Sequence, residues 1–160
     1  MPLSKQQLIA KLTEARAYFD RVIDAASDRW DAPVYSDGLQ WNVRQVVVHV
    51  AEADRGHNRQ VMGIAEGQEI IPPDFDVERF NKRTTEKFAE KTGEQARLEL
   101  AETRAALLTW LESLDDAKLD VVGRHASLRI MSVRDILRMM CLHEKGHADD
   151  INKALNLNVT

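Results

Sequence analysis

The chain has little of what several protein classes require. Its 160 residues include one cysteine (Cys141), seven glycines and four prolines. A lone cysteine excludes an intramolecular disulfide framework and fits a reducing compartment. So few glycines and prolines do not suit an all-β fold, which needs a turn roughly every 10 residues. No apolar run approaches the ~20 residues needed to span a bilayer. The formal charge of −4 and a pI near 5.7 leave no basic excess for phosphate backbones, which argues against nucleic acid as a ligand. The first residues, Met1-Pro2-Leu3-Ser4-Lys5, do not lead from basic residues into an apolar stretch, so no secretion signal is expected. These absences point to one cytoplasmic domain, residues 1–160, with no membrane and no nucleic-acid partner.

What is present is helical periodicity. Ser4 and Gln7 have capping-box spacing, and Leu8, Leu12, Ala15, Phe19, Val22, Ile23 and Ala26 follow as a stripe of period 3.6. Asp31 to Gly38 reads as a loop. Asn42 is an N-cap for a second helix that buries Val43, Val46, Val47, Val50, Ala51, Val61 and Ile64; its valines also suit a strand, but the interspersed Arg44, Gln45, Glu52, Asp54 and Arg55 favour a helix. Pro72-Pro73 ends that region. A third stretch restarts at Thr92, with Leu98, Ala101, Ala105, Leu108, Leu111 and Leu114 on its inner side. Asp115 to Met131 reads as a loop. Ser132 caps a last helix carrying Val133, Ile136, Leu137, Met140, Ile151 and Leu155. The expected helices are Ser4–Ser27, Asn42–Glu66, Asp76–Ser113 with a break near Thr92, and Ser132–Leu155. The fold class is all-α, a four-helix bundle. A short echo, Asn42-Val43-Arg44-Gln45-Val46 against Ser132-Val133-Arg134-Asp135-Ile136, makes the second and last helices corresponding elements.

The chemistry lies in the histidines. His143 and His147 are four apart, so their side chains sit on neighbouring turns, about 5–6 Å apart at Cβ. That spacing lets two imidazoles share one ion at ~2.0–2.1 Å. The second helix offers His49 and His57 as a third ligand. Periodicity does not choose between them: His57 falls in the middle of the apolar stripe, and His49 at its edge, on the same flank as His143. Paired histidines at this spacing are also common as plain polar surface.

His143-Glu144-Lys145-Gly146-His147 matches H-E-x-x-H, yet no third protease ligand follows in the thirteen residues after His147, so a protease is rejected. Glu144 points toward the core stripe. There a carboxylate must pair with an arginine of a neighbouring helix, ligate the metal, or act as a general base; Glu144 is the candidate catalytic residue. Cys141 points away from the pair as a small buried hydrophobe, and His125 in its loop is expected to be solvated. Asp54, Asp149 and Asp150 are candidates to orient imidazoles. No Gly-rich phosphate loop, G-x-S-x-G or Cys-x-x-Cys occurs.

With Trp41-Asn42-Val43-Arg44 followed by His49, Asp74-Phe75-Asp76 leading to Asn81, and Ser132-Val133-Arg134-Asp135 followed by His143-Glu144-x-x-His147, the chain resembles the DinB-like superfamily of metal-binding four-helix bundles over nearly its whole length. The resemblance implies a metal site of His49, His143 and His147, holding zinc or nickel, or an iron-class ion. It also implies a homodimer and, in some members, chemistry with a low-molecular-weight thiol. The function expected is a metal-dependent transferase or hydrolase-type enzyme that activates a thiol or water against a small electrophilic substrate. A non-catalytic metal-binding or stress-response module is the alternative, since fold alone does not decide activity.

Overall fold

The computed structural model covers residues 1–160 and is helical apart from one small hairpin. The helices are α1 (Lys5–Ala26), α2 (Val43–Ala65), α3 (Val77–Lys87), α4 (Gly93–Ser113) and α5 (Val133–Ala154). A 3-10 turn at Asp116–Asp120 leads into the strands β1 (Val122–Arg124) and β2 (Ile130–Ser132). No helix is long and apolar enough to cross a membrane. Capping sets the helix starts. Ser4, Asn42 and Thr92 each accept from the backbone N–H three residues on, and the glutamine there returns the bond to the cap. Ser132 accepts from Asp135 N in the same way.

α1, α2, α4 and α5 form a four-helix bundle in which α1 does not neighbour α2, nor α4 α5, whereas α2 and α4 do pack together. α1 packs on α5 and α4, and α2 packs on α4 and α5, so α1 and α2 face each other diagonally. The connections between them are therefore long and cross the bundle ends. This order brings α2 and α5, the two histidine-bearing helices, side by side.

The apolar stripes expected on the first, second and last helices are all buried. They form two clusters, one around Phe19, Val47 and Ile151 and the other around Leu12, Leu107 and Ile136. Between the clusters lies a layer of four buried charges, one from each bundle helix: Arg16, Asp54, Arg104 and Glu144. Arg16 binds Asp54 at 3.0 Å and also Glu144, and Arg104 binds Glu144 at 3.0 Å and Asp54 at 3.3 Å. Each arginine additionally donates to a main-chain carbonyl of a neighbouring helix, Leu100 for Arg16 and Leu12 for Arg104. Two charges of each sign compensate one another where no water reaches them.

The expected break near Thr92 is present: the third stretch is two helices, of which α3 buries no residue and stands outside the bundle against α2. Two expectations need correction. On α4 the inner face is Ala96, Leu100, Arg104, Leu107 and Leu111, while Leu98, Ala101 and Ala105 face solvent. The stripe was misplaced because one of its members is a buried arginine, which periodicity reads as surface. The stretch from Asp115 to Met131 is an ordered 3-10 turn and hairpin, with Val122 paired to Ser132 and Arg124 to Ile130. Gly123 lets that hairpin lie on α2, since a Cβ there would meet the Ile64 side chain at 2.5 Å.

Candidate metal centre

His49 on α2 and His143 and His147 on α5 converge. Nε2 of His143 lies 3.2 Å from Nε2 of His49 and 3.2 Å from Nε2 of His147, and one ring nitrogen from each of the three lies within 4.8 Å of the others. Two nitrogens 3.2 Å apart on one ion at ~2.1 Å subtend about 100°, between the octahedral and tetrahedral angles. The three rings are mostly buried, and burial first, then their mutual repulsion, holds His49 and His147 well below the ordinary histidine range, His147 down to about 4. His143 is lowered by burial too, against the pull of Asp54. Neutral imidazoles are the ligating form.

The protonation pattern around His147 fits the same role. Tyr35, in the loop between α1 and α2, lies 2.9 Å from Nδ1 of His147 and donates its hydroxyl to Oδ2 of Asp150 at 2.5 Å. Burial and the Asp150 carboxylate raise the phenol's pKa, so it keeps its proton. That single proton goes to Asp150, so the phenol oxygen accepts from Nδ1–H of His147. The lone pair of Nε2 then points into the trio, the arrangement that carboxylate-supported metal histidines use. Trp41 packs on His49 with ring centroids 4.6 Å apart.

Glu144 is 1% exposed, and both its oxygens are held by Arg16 and Arg104. Of its alternative roles, the structure shows the ion pair. The carboxylate is engaged in the charged layer and is not one of the converging groups, so a base role would first require it to leave two buried arginines. Asp54 belongs to that layer as well, and Asp149 binds Lys145 and Tyr18. Cys141 is buried, its thiol donates to the Leu137 carbonyl, and burial pushes its pKa up to about 11.

His57 lies outside the trio. Its Nε2 is 3.2 Å from Nε2 of His125, with the two rings stacked at 13°. His125 is 5% exposed, which corrects its expected solvation: the hairpin folds it onto α2. His57 also meets the His143 ring edge-on, centroids 5.9 Å apart, so all five histidines form one contiguous group. His49, His143, His57 and His125 line a cavity of about 660 Å³, whose other walls include Ile70, Ile71, Phe75, Phe80, Met139 and Leu142. Tyr35 escaped the sequence reading, and His125 was placed in solvent, because loop closure alone brings them in; Gly123 was the one nearby signal of a close approach.

A four-helix bundle with a three-histidine cluster between its second and last bundle helices, opening on an apolar cavity, is the class of protein defined here. The family model of the DinB superfamily matches residues 36–151, and the chain belongs to that superfamily. No curated protein sequence matches it. Among solved structures it is similar to YfiT from Bacillus subtilis, described as a probable metal-dependent hydrolase with an unusual four-helix bundle topology. The TM-score is 0.79 at 22% identity, covering 95% of this chain and 86% of that one. It is also similar to a protein from Escherichia coli UTI89, with a TM-score of 0.76 at 13% identity over 100% of this chain and 98% of the other. At such identities these likenesses show the fold.

Proposed function

We propose that the chain is a hydrolase-type enzyme in which His49, His143 and His147 hold a divalent ion of the zinc or nickel class, and water attacks a small electrophile in the adjoining cavity. The observation that carries this reading is the position of the trio: two of its three rings form part of the wall of a cavity of about 660 Å³. A purely structural ion is enclosed by its ligands, whereas a catalytic one keeps an open side. When bound, such an ion supplies Lewis acidity, lowering the pKa of water to about 7 and polarising a carbonyl oxygen.

The chain's own residues do the rest. Asp150 and Tyr35 hold His147 in the ligating tautomer, and Trp41 fixes the plane of His49. The apolar walls exclude bulk water and receive the body of the substrate. The description of YfiT, which shares the fold, supports hydrolysis over transfer to a low-molecular-weight thiol. Elemental analysis of untagged protein and calorimetry with zinc and nickel test the ion. Hydrolysis of aryl esters and anilides by the loaded enzyme, with and without added thiol, tests the reaction. Protein that takes up neither metal ends the reading, and turnover that requires thiol makes the enzyme a transferase instead.

A further inference from the structure

The charged groups around the cavity are already matched, with one exception. Glu52, on its wall, and the neighbouring Glu99 are balanced by Lys91 and Arg55. Glu69, next to the lining residue Ile70, pairs with Arg124 at 3.5 Å. Arg59 lines the same cavity from an exposed position on α2, and its guanidinium makes no ion pair and no hydrogen bond with the chain. Among the carboxylates and guanidinium groups of the lining, one charge is therefore left unbalanced, and it is positive.

The wall of α2 leads from the trio to this cation. His49, Ala53 and Gly56 follow at steps of four and three, so they share one row of the helix, and Arg59 comes one turn further at its exposed flank. Ten residues of helix put Arg59 about 15 Å beyond His49 at the level of Cα. Helical side chains lean toward the N-terminus, which here is back toward the trio. Between the two the floor is bare: Ala53 offers one methyl group, and a Cβ at Gly56 would meet nothing within 4 Å. Glycine inside a helix is destabilising, and at Gly56 neither a positive φ nor a close neighbour requires it. The space it leaves is room for a ligand, with the paired rings of Phe75 and Phe80, centroids 5.6 Å apart, among the other walls.

We propose that Arg59 is the specificity-determining residue of the cavity and receives the carboxylate of a substrate whose apolar body lies over Ala53 and Gly56. A guanidinium carries donors and no acceptor, in a planar fork that matches a carboxylate. One unpaired cation balances one negative charge, which suits a carboxylate better than a phosphate dianion. The substrate class is an acyl compound, ester or amide, with a carboxylate at the end remote from the bond to be cut. This deepens the hydrolytic reading and rests on it for the reacting end alone, since Arg59 is not one of the three ligands.

The test compares phenylacetate with phenylacetamide, which differ in charge and little in shape. Both are titrated by calorimetry into the full chain after dialysis against a chelator, so that no ion competes for the carboxylate. Phenylacetate is expected to bind about fivefold more tightly, between the worth of an exposed ion pair and that of a charged hydrogen bond. In Arg59→Gln the preference should fall to about twofold or less. The guanidinium Nε–H resonance of Arg59 in the unmodified protein gives an independent reading, and should shift with phenylacetate and not with the amide. Equal affinity for the two probes, binding of neither at millimolar concentration, or a preference that survives Arg59→Gln overturns the proposal. In zinc-loaded protein, Arg59→Gln should raise KM for monophenyl adipate about fivefold with kcat nearly unchanged, and leave phenyl hexanoate unaffected. Turnover of the adipate whose KM ignores the substitution also overturns the proposal. No turnover of either ester, with the calorimetric preference intact, counts instead against the hydrolytic reading, and the carboxylate site stands.

Discussion

Tyr35 and His147 are 112 positions apart in sequence, and the phenol oxygen sits 2.9 Å from the imidazole Nδ1. The contact fixes which nitrogen of His147 carries the proton, and Asp150 fixes which way the phenol proton points. Removing such a support typically lowers metal affinity 10- to 100-fold. Tyr35→Phe should therefore weaken zinc binding by about tenfold or more in calorimetry while leaving the helical content by circular dichroism unchanged. Unchanged affinity would show that the hydroxyl plays no part in presenting His147.

The two candidate third ligands on α2 separate cleanly. His49→Ala should abolish zinc or nickel uptake, since two imidazoles remain. His57→Gln should retain uptake, since the Nε2 of His57 is engaged with His125 and is not one of the converging nitrogens. The reverse pattern in paired calorimetric titrations would assign the ion to His57.

Stability should fall with acid in metal-free protein. All five imidazoles are held below the ordinary value, burial being the first cause in each. The unfolded chain takes up protons near pH ~6.5, whereas folded His147 and His57 resist until about 4 and about 3. Between those limits the unfolded state binds more protons, so stability is complete above the unfolded value and drains away as pH falls toward the folded ones. His57→Gln should flatten the dependence by up to about 1.4 kcal/mol per pH unit. Denaturant melts at pH 7.5 and 5.0 check this; equal slopes for the two proteins would contradict it.

Glu144→Gln leaves Arg16 and Arg104 facing Asp54 alone in the charged layer. Breaking a buried pair this way costs about 3–5 kcal/mol. A large loss of stability is expected in urea unfolding. Lost turnover with intact stability would return Glu144 to the role of base.

Trp41 is 6% exposed at the head of α2, packed on His49 and the cluster around Phe19. Trp41→Ala should cost about 3–5 kcal/mol in thermal or chemical melts. It should also loosen His49, so zinc affinity falls with stability; a change in neither would place the ring outside the packed core.

The bundle was legible wherever apolar side chains dominate the buried face of a helix. α1, α2 and α5 show their inner faces as plain 3.6-residue stripes, capped by Ser4, Asn42 and Ser132. α4 did not, because Arg104 occupies the centre of its buried face and only the two carboxylates of Asp54 and Glu144 make that tolerable. His143 and His147 stood out because four residues is one helical turn. Tyr35 and His125 carry no local pattern: their partners lie on other elements, and their roles exist only once the loops have closed.

The diagonal placement of α1 across from α2 and of α4 across from α5 also bears on how the chain folds. Neither α1 with α2 nor α4 with α5 forms a helical hairpin that shields itself, because α1 packs on α5 and α4, and α5 on α1 and α2. Large loops must close before any interhelical surface is covered, and folding slows as contacts become more distant in sequence. The chain should therefore fold more slowly than an up-and-down bundle of equal length, in one concerted step and without a stable half. An excised α1–α2 or α4–α5 fragment should remain a fluctuating coil.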